Sequence, residues 1–464
     1  MRPLLRFYEF HFFYFSSNCA EACGYGRELF LSRHHFIYAT NMGDNEYDVV
    51  VYGATGFTGQ FVAEEVVKAA EKNTGLKYAF AGRSKDKLDK TVEMVKSNTG
   101  LDVDAGIIIA DANDEESLVS MAKQARIVIN CVGPYRYYGE KVVTACLKGG
   151  ANHVDISGEP QYLETMQLKY NEEAAEKNLY IVGACGFDSI PADLGTLFLQ
   201  EQFPGDLNSV EMVVGFDDTS VGSSSINFTT MECAVLGLAH SKELKDIRKE
   251  LFPTPLPKPS FRPKPRGNLF FSEEAQRWCL PNMASDRSVV LRTQRLNYEL
   301  EKMRPAQFSA YFGMSSLLTA IGGILFGIFF YAMASFSYTR TLLLKYPEIF
   351  TFGIFSRQGP ERSTLKGLKF RITLTGKGWD SKLEDPAEQH TEPPNTTKTV
   401  TVVGPDPGYT ACAIVVTQAA FTILEEKDRL PVKGGVYPPG AAFLKTSLRD
   451  RLEANNIKFS VQEE

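Results

Sequence analysis

The chain has 464 residues, 44% hydrophobic and 23% charged, a composition that fits two or three globular domains and excludes a disordered or collagen-like chain. Its formal net charge of −6 gives no electrostatic case for nucleic acid as a partner. Eight cysteines lack paired metal-ligand spacing: Cys19 and Cys23 have no second pair, so no metal site is expected. Cys131 and Cys185 lie inside apolar runs, as small core residues do in a reducing compartment.

Residues 1–41 are aromatic-rich and without helical or strand period. A basic start and an apolar run resemble a signal peptide, but Glu9 and His11 interrupt the run. An extension outside the fold is expected, with Met42 as an alternative start. From 42 to 190 short apolar runs alternate with amphipathic stretches. YDVVVY (47–52), YAFAG (78–82), GIIIAD (106–111), RIVINCVG (126–133), HVDIS (153–157) and YIVGAC (180–185) read as strands. FTGQFVAEEVVKAAEK (57–72) opens the series of helices between them. Strands apolar throughout and joined by helices predict a parallel sheet covered on both faces, an α/β doubly wound Rossmann domain.

After Pro191 the rhythm changes. Over 191–304, NSVEMVVGF and SSSINFTTM read as half-buried strands, and FPTPLPKPSFRPKPRG (252–267) as an extended proline-rich loop wrapping the second domain. The segment 305–339 carries no charged side chain and exceeds the roughly 20 apolar residues that cross a bilayer. It holds Gly323 and Gly327 at the spacing that lets helices approach closely in lipid. Lys302 and Arg304 precede it and Arg340 and Lys345 follow, so flanking charge selects no orientation. Contact with a membrane or lipid surface is expected; the alternative is a buried helix or hairpin at a subunit interface. Over 340–464, GLKFRITLTGKG and KTVTVVGPDPGY give strands and ACAIVVTQAAFTILEE a helix. The second domain is therefore expected to be α+β and antiparallel, interrupted by the apolar insertion.

Gly53-Ala-Thr-Gly56-Phe-Thr-Gly59 follows a strand and opens a helix, the context of a dinucleotide grip. Gly53 allows a tight turn, Gly56 the approach of a pyrophosphate, and Gly59 close packing of helix on strand. Thr55, Phe57 and Thr58 complete the loop, whose helix N-terminus offers amides and partial positive charge to the anion. The second strand ends in Arg83 and Ser84, with Lys87 soon after, where an NAD site would carry an acid on the ribose hydroxyl. A guanidinium suits a 2′-phosphate, so NADP(H) is preferred and NAD(H) remains possible. Asp111 ends the third strand beside the adenine position. Asn130, Val132, Gly133 and Pro134 end the fourth, where the backbone passes the nicotinamide ribose. Candidates for proton transfer are Tyr135, Tyr137, Tyr138, Glu159 and Asp188. The bland readings are an aromatic loop for the tyrosines and helix capping for the two acids.

Together YGATGFTG, AGRS, NCVGPY with YGE, HVDISGE, GFDSIPADLG, SDRSVVLRTQR and GGVYPP resemble the saccharopine dehydrogenase family. The resemblance runs from about Tyr47 to the C-terminus. It implies a Rossmann domain, an α+β second domain and an NAD(P)H-dependent oxidoreductase. It further implies kinship to trans-acting enoyl reductases that act on lipid chains, and association of animal members with lipid droplets or membranes. Saccharopine itself is not implied, since a dicarboxylate needs converging Arg, Lys or His, and only His153 and His240 fall in the folded domains clear of loops and extension. The expected function is hydride transfer to a lipid or acyl substrate, in lipid or glycolipid metabolism, at a lipid-droplet or membrane surface with the folded domains facing the cytosol. The alternatives are an inactive nucleotide-binding scaffold and a true saccharopine dehydrogenase; a homodimer is left open. Because the last strands must rejoin the domains begun earlier, 305–339 should enter and leave on one face, bending at Gly322 and Gly323.

Overall fold

Apolar strands and amphipathic helices alternate from Tyr47 onward in the computed structural model, which describes residues 45–73, 75–218 and 226–462. The extension over 1–41 and the start at Met42 lie outside the described residues. The first series runs β1 (Tyr47–Tyr52), α1 (Phe57–Lys72), β2 (Tyr78–Gly82), α2 (Lys85–Thr99), β3 (Gly106–Ile109), α3 (Glu115–Lys123), β4 (Ala125–Asn130), α4 (Tyr135–Gly149), β5 (Asn152–Asp155), α5 (Pro160–Glu176), β6 (Tyr180–Val182) and α6 (Ile190–Gln202). The second opens with β7 (Leu207–Asp218), β8 (Ile226–Asn227), α7 (Phe228–Ala239), α8 (Glu243–Leu251), β9 (Phe270–Ser272), β10 (Arg277–Pro281), α9 (Asp286–Glu301) and β11 (Gln307–Met314). It continues through α10 (Leu317–Ser335), α11 (Ser337–Lys345), α12 (Pro347–Phe350), β12 (Phe355–Ser356), α13 (Arg362–Leu365), β13 (Leu368–Gly378) and β14 (Thr396–Pro405). The chain ends with α14 (Cys412–Glu425), β15 (Gly435–Tyr437), α15 (Pro439–Ala442), α16 (Leu448–Ala454) and β16 (Lys458–Val461).

The first sheet has the order β15-β6-β5-β4-β1-β2-β3, parallel throughout. Its first six strands follow the doubly wound order in which the chain reverses direction between β1 and β4. Buried on both faces, β1 reads as the continuous run Val49-Val50-Val51. Val49 and Val51 join α1 and α14 in one core cluster; Val50 joins α3 and α4 in another. β15 completes this sheet 253 residues after β6 (435 minus 182), the predicted return of the chain.

The second sheet has the order β16-β14-β13-β7-β11-β10-β9. It is antiparallel except where β11 lies parallel to β7, which corrects the expectation of a wholly antiparallel sheet. α6 and α9 cover the face turned toward the first sheet, and one cluster links Val51, Leu199, Met212, Ile372 and Val415 across both sheets. The proline-rich loop does wrap the second sheet: Gln307 donates to the Phe261 carbonyl at 2.8 Å, and Arg266 pairs with Glu211 at 3.0 Å.

Two further expectations are corrected. INFTTM is not a strand beyond Ile226–Asn227; its remainder opens α7, where Asn227 accepts from the Thr229 amide and caps the helix. Ser223 to Ser225 lie outside the described residues. The uncharged segment 305–339 is not a single insertion either. Gln307–Met314 is a strand with alternating burial inside the second sheet, and only α10 and the start of α11 follow it. Gly322 and Gly323 make no bend, because α10 continues through them to Ser335. The turn falls at Phe336 instead, whose extended backbone separates α10 from α11.

Candidate functional site

The glycine loop closes as its spacing predicts. Gly53 has φ +86°, a region that L side chains rarely enter. A Cβ on Gly59 would sit 2.1 Å from the Gly53 carbonyl oxygen, so α1 can approach β1 only with glycine there. The Gly53 amide donates to Ala81 O at 2.9 Å and its carbonyl accepts from the Gly56 amide at 2.9 Å, which pins the loop to the end of β2. Gly56 caps α1 without a side chain, leaving the first amides of the helix to an anion. Phe57 contributes only backbone to that end: its ring packs edge-on against Tyr409 at 4.7 Å and beside Phe61.

At the end of β2, Arg83 and Lys87 are exposed and have no ion-pair partner among the described residues, and Ser84 caps α2 without a side-chain bond. Asp111 accepts from the Asn113 amide at 2.9 Å. Burial pushes the Tyr52 hydroxyl well up, with the charge of Asp111 adding to it and that of Arg83 opposing it. Arg83, Asp111 and Tyr52 therefore share one corner beside the loop. An unpaired guanidinium with no acid at the strand end fits a 2′-phosphate.

At the end of β4, Val132 lies under the loop, with its Cγ2 2.7 Å from where a Gly53 Cβ would sit. Asn130 accepts from the Val132 amide at 3.0 Å, while its buried Nδ2 has no partner among the described residues. Gly133-Pro134 is a cis peptide leading into α4. Helix α7 covers this turn: a Cβ on Gly133 would meet Thr229 at 3.6 Å and Cys233 at 3.7 Å.

The candidates for proton transfer separate clearly. Tyr135 is 5% exposed and donates its hydroxyl proton to the Asn130 carbonyl at 2.9 Å, and burial pushes it well above its ordinary range. Tyr137 and Tyr138 lie on the outer side of α4, Tyr138 beneath Lys141. Glu159 does cap a helix, but α4 rather than the one it precedes: it accepts from the Tyr135 amide at 2.7 Å and the Arg136 amide at 3.1 Å. Asp188 caps nothing, because Ser189 is the N-cap of α6. Its carboxyl instead lines a cavity of 50 Å³ between the two sheets. Asp188 is open to solvent yet enclosed by protein, the position of a group at the floor of a cleft, and this enclosure pushes its carboxyl up.

Asp286, on the first turn of α9, lines the same cavity. It accepts from Asn282 Nδ2 at 2.9 Å, and burial followed by the charge of Asp188 pushes it well up. Asp286 stands in the block SDRSVVLRTQR without a local signal of its role, since 98 residues separate it from Asp188 (286 minus 188) and only the fold joins them.

A second surface lies beside the site. α10 exposes its own Leu318, Ile321, Leu325 and Ile328, and the apolar exposure continues through Phe336, Ile349 and Phe352. Its inner side, with Phe330 and Ala334, packs on Met231 and Val235 of α7. Gly323 faces Leu280 and Met314 of the sheet, whereas a Cβ on Gly327 would meet nothing within 4 Å. Gly323 is therefore used for packing on the second sheet, and Gly327 lies on the open side of α10. β11 and β13 flank β7 on its two sides, so the chain leaves and rejoins one sheet around α10–α12.

A parallel doubly wound sheet, a glycine turn opening on a bare helix end and an unpaired arginine at the next strand define an NADP-dependent oxidoreductase. Residues 49–182 match the profile of the saccharopine dehydrogenase NADP binding domain. The chain is 42% identical over 423 residues to the saccharopine dehydrogenase-like oxidoreductase of Homo sapiens, covering 89% of this chain and 97% of that one. It therefore belongs to the saccharopine dehydrogenase-like oxidoreductase family, and its cofactor is NADP(H). A Caenorhabditis elegans relative named lipid droplet localized protein is 39% identical over 428 residues, 90% of this chain and 99% of that one. A trans-acting enoyl reductase of Mycobacterium bovis is 36% identical over 188 residues, 39% of this chain and 44% of that one.

Proposed function

We propose that this protein reduces a lipid or acyl substrate with NADPH while seated on a lipid-droplet or membrane surface, its two sheets on the cytosolic side. One observation carries this reading: α7 touches both places at once. Thr229 and Cys233 lie against the Gly133 turn, and Met231 and Val235 against the apolar helix α10. Exposed apolar area of this extent marks a lipid or partner surface. The names of the nematode and mycobacterial relatives point the same way.

In this reading Gly53, Thr55, Gly56, Thr58 and Gly59 hold the pyrophosphate with the backbone of Phe57. Arg83, Ser84 and Lys87 hold the 2′-phosphate, and Asp111 flanks the adenine. Asn130, Val132, Gly133 and Pro134 line the nicotinamide end. Bound NADPH supplies a hydride. The chain contributes orientation, exclusion of water by α7, and a proton exchanged at Asp188. NADPH oxidation followed on phospholipid-coated triglyceride droplets bearing α,β-unsaturated acyl chains tests it. Turnover that falls about 100-fold or more in Asp188→Asn is expected, the scale of a lost general acid. Tight NADPH binding without turnover on any lipid would instead favour a nucleotide-binding scaffold.

A further inference from the structure

The cavity at Asp188 has a chemistry of its own. Strand residues alternate between faces, and β7 and β11 turn Met212, Phe216 and Phe312 into it, opposite Phe187 in the turn between β6 and α6. Among the described residues the only ionisable groups lining it are Asp188 and Asp286. No Arg, Lys or His of the described residues lines it. The guanidinium of Arg277 on β10 lies over Gly215 and Gly313 on the opposite face of the sheet and pairs with Asp217. Asp286 is held by Asn282, while the Asp188 carboxyl has no hydrogen-bond partner among the described residues. Ser285 fixes the Asp188 backbone by donating to its carbonyl at 3.2 Å.

We infer that this cavity binds the reacting end of an uncharged apolar substrate and rejects a carboxylate. The inference rests on the reductase reading and names the substrate class of that site. An anion placed here would face two acids with no counter-charge, in a space walled by aromatic and aliphatic side chains. Its lost hydration would go uncompensated, and like-charge juxtaposition is how sites reject a wrong ligand. A neutral carbonyl or ester meets no such penalty: of the two neighbouring acids one holds a proton and donates a hydrogen bond to it, while the other stays ionised and supplies the repulsion toward an anion. A cavity of 50 Å³ holds only the end of a long chain. The remainder would lie along β11, whose Met314, on the same face as Phe312, packs against Gly323 of α10. A chain lying along that strand would emerge at the apolar surface.

The test compares methyl trans-2-hexadecenoate with trans-2-hexadecenoate at pH 8, titrated calorimetrically into the full-length protein saturated with NADPH. The ester should bind at least about tenfold tighter than the anion. Asp188→Asn with Asp286→Asn should shrink that gap to about threefold or less by removing the repulsion. Phe312→Trp, or Ala284→Leu should the first fail to fold, should weaken the ester about tenfold by filling the cavity, with NADPH affinity unchanged. Equal binding of ester and anion, including no binding of either, overturns the inference. So does ester affinity that ignores the cavity-filling variant. Ester binding in the cavity without NADPH oxidation would sustain it while defeating the reductase reading.

Discussion

Two helical segments of this chain have the same length and related composition but opposite surroundings. Leu317–Ser335 and Pro407–Glu425 both span 19 residues, with mean hydropathy 2.1 and 1.4. The first is 17% buried and the second 78%. α14, in the second segment, packs on α1 and beneath β4 and β5, joining the two sheets in one core. α10 covers the edge of the second sheet and α7 with one side and leaves the other bare. Apolar length alone therefore does not identify a lipid-facing helix; what matters is whether the fold supplies a partner for its surface. α14 has one inside the protein, and the outer side of α10 has none among the described residues.

The largest effect should come from placing the same charge in each helix. Val415→Asp puts an unpaired carboxylate at a fully buried position and should cost about 4–5 kcal/mol or more, read as loss of a cooperative thermal transition. Leu325→Asp with Ile328→Asp, on the bare side of α10, should change unfolding free energy by only about 0.5 kcal/mol per site. Equal destabilisation in both helices would break the comparison. The next effect sharpens it: the α10 double variant should lose droplet binding by about 2–3 kcal/mol per leucine-sized side chain withdrawn, measured by flotation. Arg83→Ala, remote from α10, should weaken NADPH by about 1.5–3 kcal/mol while leaving NADH affinity and flotation unchanged. Unchanged NADPH preference in that variant would remove Arg83 from the cofactor site.

The smallest effect concerns acid stability. His153 is fully buried, with both ring nitrogens lacking a hydrogen-bond partner among the described residues and Asp155 3.9 Å away. Burial lowers its pKa to about 3. The unfolded chain takes up this proton near pH 6.5 and the folded one does not, so its contribution to stability is complete above pH 6.5 and lost as pH falls toward 3. About 2 kcal/mol of that loss falls between pH 6.5 and 5. His153→Leu should reduce the fall in melting temperature over that interval; an undiminished fall would place the acid sensitivity elsewhere.

The cofactor half was legible because local sequence dictates it. A glycine turn, apolar strands and amphipathic helices carry their signals within a few residues, and Gly53 and Gly59 occupy the conformations their spacing implies. β11 was hidden because its alternation, with Phe308 and Ala310 buried, lies inside an uncharged run that continues into α10. α7 was misread as a strand because β-branched residues crowd its first turn, while its packing between Gly133 and α10 decides its conformation. Asp286 was passed over because its relation to Asp188 exists only in the folded chain.

The central claim is that α10 rests on lipid while the rest of the chain stays on one side of it. An environment-sensitive fluorophore at position 325, with a second preparation labelled at the exposed position 432, tests this on phospholipid-coated triglyceride droplets. The account predicts that label 325 shifts to the blue and is quenched by shallow spin-labelled lipid, whereas label 432 responds to neither. A label at 325 that remains in water on saturating droplets would contradict it.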